Sequence, residues 1–234
     1  VASILNGMCE EHRKLYEEKS IDLHYLVKTD HSHYDEVADT FAGDGEYRDY
    51  SVNEGQHICS TDKGDDTSAS GAAGGYIADS NNKVPVVAIA GRMDARRLVD
   101  ARAYEAACRN FSQALLLQLD LRARESILVV GTEEFMFPAL FAAAELEKLG
   151  NEVKCHSTTR SPIVVSTEEQ YPLHARYGLR SLYDACRRTF LYDIDAYDRV
   201  LVVTDAEMPE DKGLNSLLCA LHTRNENITV FRWC

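Results

Sequence analysis

Ser126-Ile127-Leu128-Val129-Val130, followed by Gly131 and a polar loop, is the stretch that decides the fold. An apolar run of this length without alternation suits a strand buried on both faces, the mark of a parallel sheet rather than an antiparallel one with a wet face. Downstream, residues 138–149 read as a helix, with Pro138 in the tolerant first turn and Gly150 as its stop. Residues 152–157 read as a strand, 199–204 as another, 213–223 as a helix and 228–233 as a last strand. Upstream, 84–90 is a nearly continuous apolar run and 95–119 reads as a long helix rich in Ala, Leu, Arg and Gln. Helical stretches are expected around 168–190, broken by Pro172 and Gly178. Strands alternating with helices predict an α/β domain of Rossmann-like type: a mostly parallel sheet with right-handed crossovers and helices on both faces.

That domain is expected to span residues 84–234. Residues 1–83 read as a loop-rich N-terminal segment. It holds a polar helix over 3–19, a short strand over 22–27 and a weak strand over 56–59, in a polar stretch running from 29 to 82. Residues 61–75 have the composition of a mobile loop. The Gly-rich 71–75 stretch lacks the Gly-Lys-Ser/Thr ending of a phosphate loop. The chain opens at Val1 rather than Met, which fits a piece cut from something longer.

Composition excludes some function classes. The 234 residues carry a formal net charge of −13, which repels a phosphate backbone and argues against a nucleic-acid partner. No apolar run approaches the roughly 20 residues a membrane span requires, and the early glutamates do not suit a signal peptide. Seven cysteines are widely spaced with no Cys-x-x-Cys pair, so no zinc knuckle or redox pair is signalled. A reducing, cytoplasmic setting is expected.

In a parallel sheet, ligands bind beyond the carboxyl ends of the strands. That rule selects residues 131–137, 157–165 and 204–213. In the first, Gly131 and Thr132 open a strand-to-helix junction that offers N–H groups. Glu133 and Glu134 beside them suit ribose hydroxyls, a metal or acid–base work, or else only complement the helix dipole. In the second, Ser157, Thr158, Thr159 and Ser161 surround Arg160, a bidentate phosphate donor, and Pro162 fixes the turn; a plain structural turn is the alternative. In the third, Asp205 could hold ribose or Mg²⁺, or merely cap a helix. Upstream, Arg92 and Arg96, with Arg97, form the best basic cluster of an acidic chain and a second phosphate candidate; pairing with Asp94 and Asp100 is the alternative. His31 and His33 among acids have metal-like spacing but lack a third ligand, and a solvated loop is the stronger reading.

These residues resemble a known family. Val129-Val130-Gly131-Thr132-Glu133-Glu134-Phe135-Met136-Phe137-Pro138, Leu146-Glu147-Lys148-Leu149-Gly150 and Ser157-Thr158-Thr159-Arg160-Ser161-Pro162 look like the bacterial TRSP domain, named for its Thr-Arg-Ser-Pro tetrapeptide. The specific match covers roughly 125–165, with weaker support from 199–206 and 91–96. The resemblance implies a place beside or fused behind a phosphoribosyltransferase domain, in tellurite-resistance and stress-response settings. Transferases of that kind carry two adjacent acids at a strand end and a Thr-Gly element. Here Thr204-Asp205 is followed by Ala206-Glu207-Met208-Pro209, so autonomous phosphoribosyl transfer is doubtful. Two expectations remain. In one, the chain binds and processes a ribose-phosphate or nucleotide-like metabolite together with a phosphoribosyltransferase, with Mg²⁺ as its candidate cofactor. In the other, it is a non-catalytic module that docks to or regulates that transferase. An oligomer is compatible with either.

Overall fold

The computed structural model of the chain describes residues 9–20, 36, 40–51, 84–122, 124–207 and 212–234. The expected strands at 22–27 and 56–59, the 61–75 loop and the His31/His33 pair lie outside these. The chain divides into two units, residues 1–40 and 41–234. In the first, α1 (Glu10–Glu18) starts with Glu10 and Glu11 at the positive end of the helix dipole and buries none of its side chains.

The second unit is built on a five-stranded parallel sheet. Its strands are β2 (Val86–Ile89), β3 (Ser126–Thr132), β4 (Glu152–Thr158), β7 (Arg199–Thr204) and β8 (Ile228–Trp233), in the order β2-β8-β7-β3-β4. Burial on both faces follows from the apolar runs in the inner strands, whereas β2, at one edge, leaves Val86 49% exposed despite its apolar sequence. Ile127, Val129, Leu201, Val203, Phe231 and Trp233 pack on one side, against α2 (Ala101–Leu116) and α3 (Phe137–Lys148). Leu128, Val130, Val200, Val202 and Val230 pack on the other, against α4 (Lys212–Leu221) and a second sheet. This is a Rossmann-like α/β architecture with helices on both faces, as the alternation predicts.

Three details differ from expectation. First, α2 begins at Ala101 rather than near 95, because Asp100 is its N-cap and accepts from the Ala103 N–H at 2.9 Å. Second, residues 168–190 are not helical. They form an antiparallel hairpin, β5 (Ala175–Arg180) and β6 (Arg188–Tyr192). Tyr177, Leu179 and Leu191 pack into the core of the parallel sheet, while Arg176, Gly178, Arg180 and Arg188 lie on the other face, where Phe190 and Tyr192 are buried with Val165; arginine and leucine, good helix formers, disguise this period of two. Third, β1 (Glu46–Asp49) pairs in parallel with β5, so the body that carries the sheets takes in a strand from upstream of residue 84. Gly178 leaves room for the β1 side chains: a Cβ there would lie 2.8 Å from the Tyr47 hydroxyl and 2.9 Å from an Asp49 carboxylate oxygen, and those side-chain ends would have to move. No helix among the described residues is long and apolar enough to cross a membrane.

Strand order positions the site. From β3 the chain crosses by α3 to β4 on one side; from β7 it crosses by α4 to β8 on the other. Crossovers of one hand running in opposite directions must lie on opposite faces, and these do. The carboxyl ends of β3 and β7 therefore part at a switch point, the place where such sheets open a crevice.

Candidate functional site

The register brings three threonines to the carboxyl rim of neighbouring strands. Thr132 is level with Thr158 on β4, and Gly131 is level with Val203, which precedes Thr204 on β7. The Thr132 hydroxyl donates to the Thr204 hydroxyl at 2.9 Å, joining the two strands at the switch point. Gly131 is required by a close approach: a Cβ would lie 3.0 Å from the Phe135 carbonyl and 3.1 Å from Ala139.

Glu133, the first residue beyond β3, has φ +48°. A non-glycine residue held there costs about 1–3 kcal/mol, and such strain gathers where function needs a side chain aimed. The Glu133 N–H donates to the Thr158 hydroxyl at 3.0 Å, and its carboxylate turns inward, with 2% of the side chain exposed. The carboxylate accepts from the Ser181 hydroxyl and from Arg187 at 2.8 Å.

Asp205, the first residue beyond β7, is equally enclosed, also at 2%. Arg96 donates to both its oxygens at 2.6 and 3.3 Å, Arg92 approaches at 3.0 Å, and the Tyr183 hydroxyl donates at 2.7 Å. Burial pushes the Asp205 carboxyl up, but Arg96, Tyr183 and Arg92 together hold it below its ordinary value. Burial likewise pushes the Tyr183 phenol up to about 12, so it stays protonated and can donate. Its oxygen also lies 2.7 Å from the Thr132 hydroxyl, and the Arg96 guanidinium rests over its ring at 5.5 Å.

Ser181, Tyr183 and Arg187 come from the turn of the β5–β6 hairpin, closed by the Ser181 N–H on the Arg187 carbonyl at 3.0 Å. Sequence reasoning missed all three because it read this segment as helix. The turn is held against α4 at Gly213, where a Cβ would lie 2.4 Å from the Ser181 carbonyl oxygen. Gly213→Ala should therefore displace the turn. Alanine's better helix propensity recovers only about 1 kcal/mol, and overpacking costs about 1–3 kcal/mol. We expect a net loss near 1 kcal/mol in urea unfolding; a variant as stable as the parent would contradict this contact.

The structure distributes the other expected site residues unevenly. The Thr158 hydroxyl accepts from Glu133. The Thr159 hydroxyl accepts the Ser161 N–H at 3.2 Å, and the Thr159 backbone pairs with Phe190 of β6. The Ser161 carbonyl accepts from the Tyr192 hydroxyl at 2.7 Å, and Ser157 is half-buried within β4. The hydroxyls of Thr158 and Thr159 thus accept bonds from the chain itself. Arg160 points outward, 57% exposed, and pairs with Glu134, joining the loops that follow β4 and β3. Arg92 and Arg96, expected from a separate region, are brought to Asp205.

Beside Asp205 lies a cleft of about 360 Å³ bordered by Arg92, Asp94, Asp205, Glu207, Arg232 and Trp233, within the size range of small-molecule sites. A larger groove of about 470 Å³ opens around Arg122, Arg124 and Arg199 at the opposite edge. It lies at the amino ends of the strands, where Arg199 is taken up by Glu125 at 3.1 Å, and we do not place the site there. Among the described residues, no group of three or more His, Cys, Asp or Glu could hold a metal ion. Glu133 and Asp205 do not fit the expected Mg²⁺, since arginines of the chain already occupy both carboxylates.

Residues 91–221 match the family described as "TRSP domain C terminus to PRTase_2". The matched span contains the crevice, the hairpin and both arginines of the Asp205 cluster. A search of curated proteins finds no match to the chain.

Proposed function

Because this chain belongs to the TRSP family, whose members lie C-terminal to a PRTase_2 domain, we propose that it serves a phosphoribosyltransferase by binding a ribose-phosphate or nucleotide-like metabolite in the carboxyl-edge crevice. One observation carries the reading: a buried aspartate at the switch point fixes two arginines beside a ligand-sized cleft. Asp205 neutralises part of their charge and sets their planes, leaving their remaining N–H groups for an anion. Arg160 does not border this cleft; its exposed pair with Glu134 contributes only about 0–1 kcal/mol, which leaves it available as a second, weaker anion donor on the same rim.

Glu133 and Asp205 then act by positioning cations. A general base needs a free lone pair facing substrate; those of Asp205 are engaged by Arg92, Arg96 and Tyr183, and the Glu133 carboxylate is held by Ser181 and Arg187 with 2% of its side chain exposed. That engagement favours the second reading over autonomous catalysis: a module that binds the metabolite and docks to or regulates the transferase. It would act in the stress and tellurite-resistance setting that the resemblance implies.

Calorimetry and thermal shift with phosphoribosyl pyrophosphate, ribose 5-phosphate and nucleotides, with and without Mg²⁺, test the reading. We expect binding by at least one of them and its loss in Arg96→Ala, with a smaller loss in Arg160→Ala. The reverse ranking would move the phosphate to the 157–162 loop. No binding by any of them would sink the proposal.

A further inference from the structure

An aromatic ladder runs from the core to the surface beside the arginine cluster. Phe111 and Phe135 pack on Trp233 with ring centroids 5.2 and 6.0 Å away. Tyr104 follows at 6.3 Å from Trp233, and Phe137 is stacked on Tyr104 at 5.7 Å with 30° between the planes. Trp233 is 1% exposed, whereas Phe137, at the first position of α3, is 49% exposed. The ladder thus reaches solvent at Phe137, with Phe141 packed beside it at 6.2 Å on the next turn of α3.

Its position gives the ring a use. Phe137 lies three residues beyond Glu134 on the loop that leaves β3 at the switch point, and Tyr104 opens the first turns of α2 just beyond the Arg92–Arg96 segment. Trp233, in contact with Tyr104, borders the cleft that contains Asp205 and Arg92. The Tyr104 phenol feels the charges of Asp205 and Arg96, though burial is the main cause of its shift up to about 12. Through its contacts with Phe137 and Trp233, Tyr104 links the exposed ring to a wall of that cleft. The apolar surface at this end of α3 is small, Phe137 with Leu140 one turn on, far short of the roughly 800 Å² per partner of a stable protein interface. One fixed, half-exposed ring suits a single planar group instead.

We infer that Phe137, backed by Tyr104, is the stacking platform for a nucleobase, so that the ligand of the crevice is a nucleoside phosphate rather than a bare sugar phosphate. The ligand's phosphate reaches Arg92 and Arg96 while its base covers Phe137. Aromatic rings serve bases in this way because every base has a π-face, and the preference is for base over no base rather than for one base over another. This inference rests on the reading that the crevice binds a phosphorylated metabolite.

The test compares adenosine 5′-monophosphate with ribose 5-phosphate by calorimetry on the full chain and on Phe137→Ala and Phe137→Trp. The ring is half exposed, so neither variant should unfold the protein, and circular dichroism melting checks this. We expect the nucleotide to bind the parent more tightly than the sugar phosphate. Phe137→Ala should weaken the nucleotide by at least about fivefold and leave ribose 5-phosphate unchanged, and Phe137→Trp should retain nucleotide affinity. Equal weakening of both ligands, or an unchanged nucleotide, overturns the platform while leaving the phosphate site standing. Loss of transferase binding in Phe137→Ala with nucleotide affinity intact would reassign the ring to a protein interface. Failure of both ligands to bind the parent removes the underlying reading and this inference with it.

Discussion

Asp205→Asn should destabilise the protein by about 2–3 kcal/mol. The variant keeps the shape and a hydrogen-bond acceptor for Tyr183 but removes the buried charge between Arg92 and Arg96, leaving them only the more exposed and more distant Asp94 among the described residues, at 4.0 and 3.7 Å. Breaking a buried pair from one side costs about 3–5 kcal/mol, since the partner charge is left uncompensated. Here the arginine side chains are 31% and 45% exposed, so water offsets part of that and places the loss at the lower end. The pH dependence follows from the direction of the Asp205 shift. Its carboxyl is held below the ordinary 3.8 in the folded state. The unfolded chain therefore takes up the proton first as pH falls. The stabilisation is fully present above about pH 5 and is lost on descending through the ordinary value to the depressed one. Parent and Asp205→Asn should differ most at neutral pH and converge in acid. A difference that grows toward low pH would mean that the carboxyl is raised instead.

Trp233→Ala should cost more, about 4 kcal/mol, in the range for truncating a buried aromatic. Trp233 is the last residue of β8, the central partner of β2 and β7, and it touches Phe111, Phe135 and Tyr104. Removing it opens a void where three elements meet and releases the support of the Phe137 ring. In urea unfolding the midpoint should fall with little change in slope. A loss under about 1 kcal/mol would show that the ladder is not part of the cooperative core. Trp233→Phe should recover most of the stability, because the indole N–H has no partner to lose among the described residues.

Much of the fold was legible in the sequence for a physical reason. Strands buried on both faces are apolar at nearly every position, so Ile127 to Val130 and Val200 to Val203 stand out without knowledge of their neighbours, and β8 does so less sharply because Thr229 and Arg232 interrupt it. The hairpin was not legible. β5 and β6 carry Arg176, Arg180 and Arg188 on a face that is half-buried and shared with the buried Phe190 and Tyr192, and their alternation is short and built from residues that also suit a helix. β1 was hidden for a similar reason: its four residues are Glu, Tyr, Arg and Asp, and only its pairing with β5 makes it a strand.

The same division runs through the candidate site. The sequence by itself determined the parallel sheet, the family and the three loops at its carboxyl edge, because burial pattern and local motif are properties of contiguous residues. Only the tertiary structure decided which of those residues meet. Asp205 takes Arg96 from 109 positions away, Glu133 takes Arg187 from 54 away, and Tyr183 enters from a hairpin that no local signal announced. An ion pair between distant residues is set by the packing of the elements that carry them, and residue type alone assigns no partner. That is why Arg92 and Arg96 were visible as a basic cluster, while the carboxylate that holds them became identifiable only once β7 was placed beside β3.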